Sequence, residues 1–238
     1  MNDSKNTDKP KFWGRRQGRP LRKKRSQALD KGLELFGIDE TLITDHHHSL
    51  SIDQIFAGSS SEQESWLEIG FGSGEHILYQ ASHHPDVRMI GCEPFVNGIS
   101  MLFKEMEEYS DPVDNIRVWP EDARLLMKAL EADTIDRCFI LFPDPWPKTR
   151  HHKRRFIQKE TLDQLARILK PGARLELATD HPGLADWMLN HILAHDRFEW
   201  MAEKRLDWRT PPQEWIQTRY QKKAKAGTDN WFIHARKV

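Results

Sequence analysis

At 238 residues, 30% charged and 38% hydrophobic, the chain has room for one sizeable α/β domain and an extension, and no need for two domains. No apolar run approaches the ~20 residues a membrane-spanning helix needs, so no membrane association is expected, and the polar, basic start does not read as a secretory signal. The formal net charge of zero hides an asymmetry: residues 1–31 carry eleven Lys/Arg against three Asp, a net of +8, which leaves −8 on the remainder.

Residues 1–45 read as a basic, largely flexible extension, and 46–238 as the folded domain. Residues 1–27 have few apolar side chains and no periodicity. The stretch 28–60 is a short lead-in ending in the serines Ser59, Ser60 and Ser61. A basic arm on an acidic body suits a polyanion partner, because neutralising phosphates releases condensed counterions; a merely solvated tail is the other reading. His46, His47 and His48 read as a solvated loop: three adjacent imidazoles do not readily converge on one ion, and no Cys or His stands at zinc-ligand spacing. No metal is expected.

From residue 65 short apolar runs alternate with amphipathic stretches. Strands are predicted at 65–69, 88–92, 116–119, 135–142, 173–179, 197–201 and 230–236, with helices at 75–83, 96–109, 122–131, 154–169 and 182–195. Lys170-Pro171-Gly172 is expected to stop the fourth helix. Such alternation predicts a largely parallel sheet covered by helices. Cys92 and Cys138 sit in apolar runs and read as buried thiols of a reducing, cytoplasmic compartment. The segment 202–229 is polar, aromatic and basic, and loops of that length are usually functional or disordered. His76 and the tryptophans Trp200, Trp208, Trp215 and Trp231 read as packing residues.

In open α/β sheets ligands bind beyond the carboxyl ends of the strands. The first five predicted strands each deliver an acid there: Glu68, Glu93, Asp122, Asp144 and Asp180. Between them lies the loop Gly70-Phe71-Gly72-Ser73-Gly74, whose glycines let a ligand approach the main chain. Its Gly-x-Gly-x-Gly spacing differs from that of dinucleotide binders. Glu68, two residues before the loop, repels a pyrophosphate but attracts a cationic amino group. Glu93 stands where ribose hydroxyls are met, and Asp122 can accept from an adenine amino group. That set suits S-adenosylmethionine, which has an adenosine and an ammonium but no phosphate.

The most specific stretch is Phe142-Pro143-Asp144-Pro145-Trp146-Pro147-Lys148. Alternating prolines bar a helix and push Asp144 and Trp146 toward extended backbone, giving a stiff wall. Trp146 reads equally as a base-stacking ring and as a packing residue. The basic run Arg150, His151, His152, Lys153, Arg154 and Arg155 follows directly, and beside the proposed site it reads as a phosphate-contacting rim.

These motifs together resemble the bacterial tRNA (guanine-N7)-methyltransferases. The likeness rests on the Glu68-to-Gly74 loop, the Pro143-to-Lys148 wall with its basic follow-on, Ala178-Thr179-Asp180, and Thr218-Arg219-Tyr220. It covers the chain from about residue 15 onward. It implies a Rossmann-like class I methyltransferase fold, a mostly parallel seven-stranded sheet with helices on both faces. The reaction it implies is methyl transfer from S-adenosylmethionine to N7 of a variable-loop guanosine (tRNA position 46), with tRNA as partner and no obligatory protein partner evident. By the same likeness Glu68, Gly70, Gly72, Gly74, Glu93, Asp122 and Asp144 belong to the cofactor site, and Asp144 is also the catalytic residue. Lys148, Asp180, Thr218, Arg219, Tyr220 and Gln221 belong to the guanosine site. The family pattern has an acid where this chain has Gln221, an amide that keeps one acceptor and adds donors but lacks the charge. Two rivals stay open: an RNA methyltransferase acting on an exocyclic base amine, and a non-catalytic RNA-binding protein with this fold.

Overall fold

Successive side chains along a strand point to opposite faces, so each strand here has to satisfy two separate cores. The protein, described by a computed structural model over residues 12–58, 62–204, 206–212, 215–216 and 229–238, does so with seven strands. They are β1 (Ser65–Ile69), β2 (Arg88–Cys92), β3 (Ile116–Trp119), β4 (Ile135–Leu141), β5 (Leu169–Thr179), β6 (Phe198–Trp200) and β7 (Trp231–Lys237). The single sheet runs in the order β3-β2-β1-β4-β5-β7-β6, and only β7 is antiparallel to its neighbours.

The helices are α1 (Lys23–Phe36), α2 (Glu40–Thr44), α3 (Ile52–Ile55), α4 (Glu75–His83), α5 (Val96–Glu107), α6 (Ala123–Ala129), α7 (Lys159–Ile168) and α8 (Pro182–Leu193). On one sheet face Leu67, Ile69, Ile90, Cys138 and Ile140 pack with Leu126 of α6, Leu165 of α7 and Met188 of α8. On the other, Trp66, Met89, Phe139 and Leu141 pack with Ile77 of α4 and Ile99 and Phe103 of α5. Each such fully buried side chain contributes about 1.5–3 kcal/mol. The expected α/β sheet with helices on both faces is therefore present.

Several elements depart from the sequence expectations, the short helices α2 and α3 among them. Within 1–45, read as an extension, Lys23–Phe36 forms a helix that buries Ala28 and packs Leu29, Leu33 and Phe36 against the α5 core. The four-residue spacing of Leu29 and Leu33, with Phe36 three beyond, is the signal that the dense lysines and arginines obscured. The predicted helix 154–169 starts later, at Lys159, because Gln158 and Thr161 form a reciprocal capping box; 149–154 is instead a 3-10 helix. β5 begins at Leu169 and not at 173: Leu169 pairs with Ile135 and Arg174 with Arg137, so residues 170–173 bulge out. Ser59, Ser60 and Ser61 lie outside the described residues. Among the described residues no helix is long and apolar enough to cross a membrane.

Candidate functional site

The strand order reverses between β1 and β4, and the carboxyl ends of these strands with those of β2, β3 and β5 make one edge. Crevices form at such a switch point. The glycine loop leaves β1 there. Gly70, Gly72 and Gly74 all take positive φ (77°, 59° and 88°). At that φ Gly72 is strained for any other residue, yet a Cβ there would meet nothing within 4 Å, so its outer side is open. Gly98 in the first turn of α5 has the opposite reason: a Cβ there would come within 2.1 Å of the Gly72 carbonyl oxygen. Helix α5 presses against the loop from behind, a constraint the sequence reading did not identify.

Five acids were expected at this edge, and the structure distributes them unequally. Glu68 is only 2% exposed on β1, and its Oε2 accepts from His76 Nδ1 at 2.8 Å. Among the described residues its Oε1 has no hydrogen-bond partner. Glu93, 8% exposed, accepts the backbone N–H of Gly72 on Oε2 and that of Phe95 on Oε1, both at 2.8 Å. Burial pushes its carboxyl up to about 7; the two N–H bonds oppose this, and the negative charges of Asp144 and Glu68 add to it. Glu93 is thus near enough to Glu68 and to Asp144 to feel both charges. Asp122 is buried and already engaged, capping α6 at the Arg124 N–H (3.0 Å) and pairing with the Arg124 guanidinium. Asp180 is exposed just beyond β5.

The wall after β4 is stiff in a way its prolines alone do not dictate. Phe142 takes φ 51° while its N–H donates to the Ala178 carbonyl at 2.8 Å. Trp146 takes φ 41°, which corrects the extended geometry expected of a residue before proline. Proline disfavours the right-handed helical region for its predecessor, and the left-handed region is the other exit. The indole is fixed there by the Arg154 guanidinium over its face (4.9 Å to the ring centre) and by the edge-on ring of His151 (5.9 Å). Asp144, between these two residues, is exposed, and partial desolvation by the wall lifts its carboxyl above the ordinary value.

The basic run divides. Lys148, Arg150 and Lys153 are exposed, while His151, His152 and Arg154 are half-buried. Arg155 is 3% exposed: Nε donates to Pro145 O at 2.9 Å and Nη1 to Gly183 O at 3.2 Å. It buttresses the wall from inside, which removes it from the rim where it was expected. Thr218, Arg219, Tyr220 and Gln221 lie outside the described residues.

A strap that no sequence motif announces also borders this edge. Residues 13–19 cross the edge from the basic run to the start of α5. The Arg154 guanidinium also lies over the Trp13 ring (4.4 Å), Arg16 O accepts from Val96 N (2.9 Å), and Arg16 Nη1 donates to Glu121 (2.6 Å). Asn97 then holds both Gly18 N (2.7 Å) and Arg19 O (2.8 Å). Among the described residues no cluster of His, Cys, Asp or Glu is arranged to hold a metal ion; His46 is occupied by Leu42 O and Gln54.

The chain is similar to known proteins over most of its length. A family model described as "Putative methyltransferase" matches residues 62–233. The tRNA (guanine-N(7)-)-methyltransferase of Rhodospirillum rubrum is 43% identical over 227 residues, covering 92% of this chain and 84% of the relative. The protein of the same name from Ruegeria pomeroyi is 42% identical over 221 residues, covering 91% and 90%. Among solved structures, the aminoglycoside resistance methyltransferase NpmB1 superposes with a TM-score of 0.50 at 15% identity, over 81% of this chain and 98% of that one. That likeness concerns the fold alone.

Proposed function

The chain belongs to the tRNA (guanine-N(7)-)-methyltransferase family, and from that premise we propose that it methylates N7 of a tRNA guanosine with S-adenosylmethionine as donor. The observation that carries the reading is the meeting of three carboxylates, Glu68, Glu93 and Asp144, at one sheet edge bordered by exposed Lys148, Arg150 and Lys153. A polyanion with a neutral base to be inserted matches a negative floor with a positive rim.

The residues present fit the cofactor. Glu68 Oε1 is an acceptor in a buried carboxylate that still lacks a donor, and the ammonium of a methionine end supplies one. Glu93, whose oxygens each accept one backbone N–H, keeps lone pairs for ribose hydroxyls, and the open side of Gly72 leaves main chain for a ligand to lie on. Asp122 reaches an adenine amino group only by releasing Arg124. When bound, S-adenosylmethionine supplies an electrophilic methyl group on a sulfonium.

Guanine N7 carries a lone pair and no proton, so no residue has to act as base at that atom. What the reaction asks of the protein is orientation and negative potential as positive charge grows on the purine. Asp144 and Asp180 accept from the N–H groups of the guanine edge. The partial dehydration of Asp144 strengthens the field it exerts on the ring. Lys148, Arg150 and Lys153 hold phosphates of the flanking strand and help offset the few kcal/mol needed to turn the base out of its stack. Buried thiols at Cys92 and Cys138 accord with a reducing cytoplasm.

The deciding experiment incubates the protein with methyl-labelled cofactor and unmodified tRNA, then identifies the labelled nucleoside after digestion. We expect 7-methylguanosine. Label on an exocyclic amine, or cofactor binding without any transfer to tRNA, would replace this reading by one of its rivals.

A further inference from the structure

His76 stands in the first turn of α4, directly after the glycine loop, and is 3% exposed. A carboxylate can only accept, so the 2.8 Å contact to Glu68 Oε2 is a hydrogen bond donated by His76 Nδ1. The opposite ring nitrogen, Nε2, lies 3.2 Å from the amide nitrogen of Gln80, one turn further along the helix. An amide nitrogen donates, so Nε2 accepts in this arrangement and Nδ1 carries the proton that meets Glu68. Phe139 meets the ring edge-on at 4.8 Å and Trp215 lies tilted against it at 5.7 Å, so the ring cannot turn away.

From this we infer that His76 is a positioning residue for cofactor capture: held as the Nδ1–H tautomer by Gln80, it clamps one oxygen of Glu68 and leaves Oε1 as the fixed acceptor for the ammonium of the cofactor's amino-acid end. The inference rests on the S-adenosylmethionine reading above and deepens it. Without the clamp Glu68 is a buried carboxylate with rotational freedom about its last bond, and an ammonium has to order it on binding. With the clamp that ordering is done by the fold.

Calorimetry with two ligands tests the assignment. S-adenosylhomocysteine carries the amino-acid end; 5′-methylthioadenosine keeps the nucleoside and lacks it. In His76→Leu we expect S-adenosylhomocysteine to bind about tenfold or more weakly, in proportion to a charged hydrogen bond lost, while 5′-methylthioadenosine changes less than about twofold. His76→Asn, whose amide N–H stands near the place of Nδ1, should restore binding to within about threefold. If His76→Leu does not fold, Gln80→Met carries the test. It removes the donor that fixes the tautomer, and should weaken S-adenosylhomocysteine about threefold and spare 5′-methylthioadenosine. Equal weakening of both ligands overturns the inference, since that is what general loosening produces, and so does no weakening of either. Wild-type protein that binds neither ligand overturns the cofactor reading and this inference together.

Discussion

Glu93 holds the glycine loop by its middle: its Oε2 accepts the Gly72 backbone N–H at 2.8 Å, and this is the group whose carboxyl burial pushes up to about 7. The free protein therefore carries Glu93 half-protonated near neutrality. A cofactor with a sulfonium, an ammonium and two ribose hydroxyls favours the ionised form and lowers that pKa on binding. Affinity for S-adenosylmethionine should accordingly rise with pH up to about 7, with pH 6 about fivefold weaker than pH 7, and fall again above about 8 as the cofactor's own ammonium loses its proton. Titration in two buffers of different ionisation enthalpy should show about half a proton released per cofactor at pH 7. Glu93→Gln should flatten the acid-side rise; a wild-type affinity that does not vary with pH would refute the coupling.

Asp144 is predicted to act on the reaction more than on cofactor binding. Asp144→Asn keeps the side-chain shape and removes the charge. It should lower kcat on tRNA by a factor of about 100 or more, the range for removing one preorganised electrostatic contact. The Kd for S-adenosylhomocysteine should stay within about threefold. Steady-state kinetics and calorimetry on the same preparation separate the two, and an unchanged kcat removes Asp144 from the mechanism.

The basic run should split by burial and not by charge. Arg150→Ala and Lys153→Ala act on exposed cations, so each should reduce the salt dependence of tRNA affinity by about one phosphate's slope and leave thermal stability alone. Arg155→Ala instead deletes hydrogen bonds to Pro145 O and Gly183 O. It should cost about 2 kcal/mol of stability, read as a lower denaturant midpoint. A destabilised Lys153→Ala or a neutral Arg155→Ala would contradict the geometry.

On the sheet between β4, β5 and β7, Glu176 is bracketed by Arg137 (3.1 Å) and by a hydrogen bond from His234 Nδ1. Burial works to raise the Glu176 carboxyl, but His234 and Arg137 outweigh it and the result lies below the ordinary 4.5. Burial works to lower His234, but Glu176 outweighs it and the result lies above the ordinary 6.5. The depressed acid contributes stability above 4.5 and loses it as pH falls through its folded value. The raised imidazole contributes fully below 6.5 and loses it as pH rises through its own. Stability from this group should peak between those two values. His234→Phe should lose the decline on the alkaline side. Glu176→Gln should cost about 3 kcal/mol, because it strands Arg137 half-buried and uncompensated. Chemical denaturation at pH 5.5 and 8.5 checks both variants.

The sheet was legible because its strands are bounded by residues with one local role each: Gly70 after β1, Pro94 after β2, Pro120 after β3. The acidic row was legible for the same reason, each acid lying in or shortly after an apolar run. What escaped the sequence is non-local. Nothing in the spacing of residues 13–19 tells that Asn97, about eighty positions on, accepts from one backbone group of that segment and donates to another. Arg155 and Lys153 are neighbours in one basic run, and only the fold of Pro145 and Gly183 around Arg155 separates their roles. His76 read as packing because its partner Glu68 is eight residues back on a strand, outside any helical periodicity.

The strap has a practical side. Removing the residues up to 19 is not trimming a tail, because Trp13, Arg16 and Gly18 are bolted to Arg154, Val96, Glu121 and Asn97 around the mouth of the crevice. A fusion partner joined ahead of Trp13 is leashed to that mouth by a few residues. At the other end, β7 runs away from the crevice, and Lys237 is tied to Asp133 at the foot of β4, on the far edge of the sheet. A surface tether attached at this far edge leaves the working edge clear.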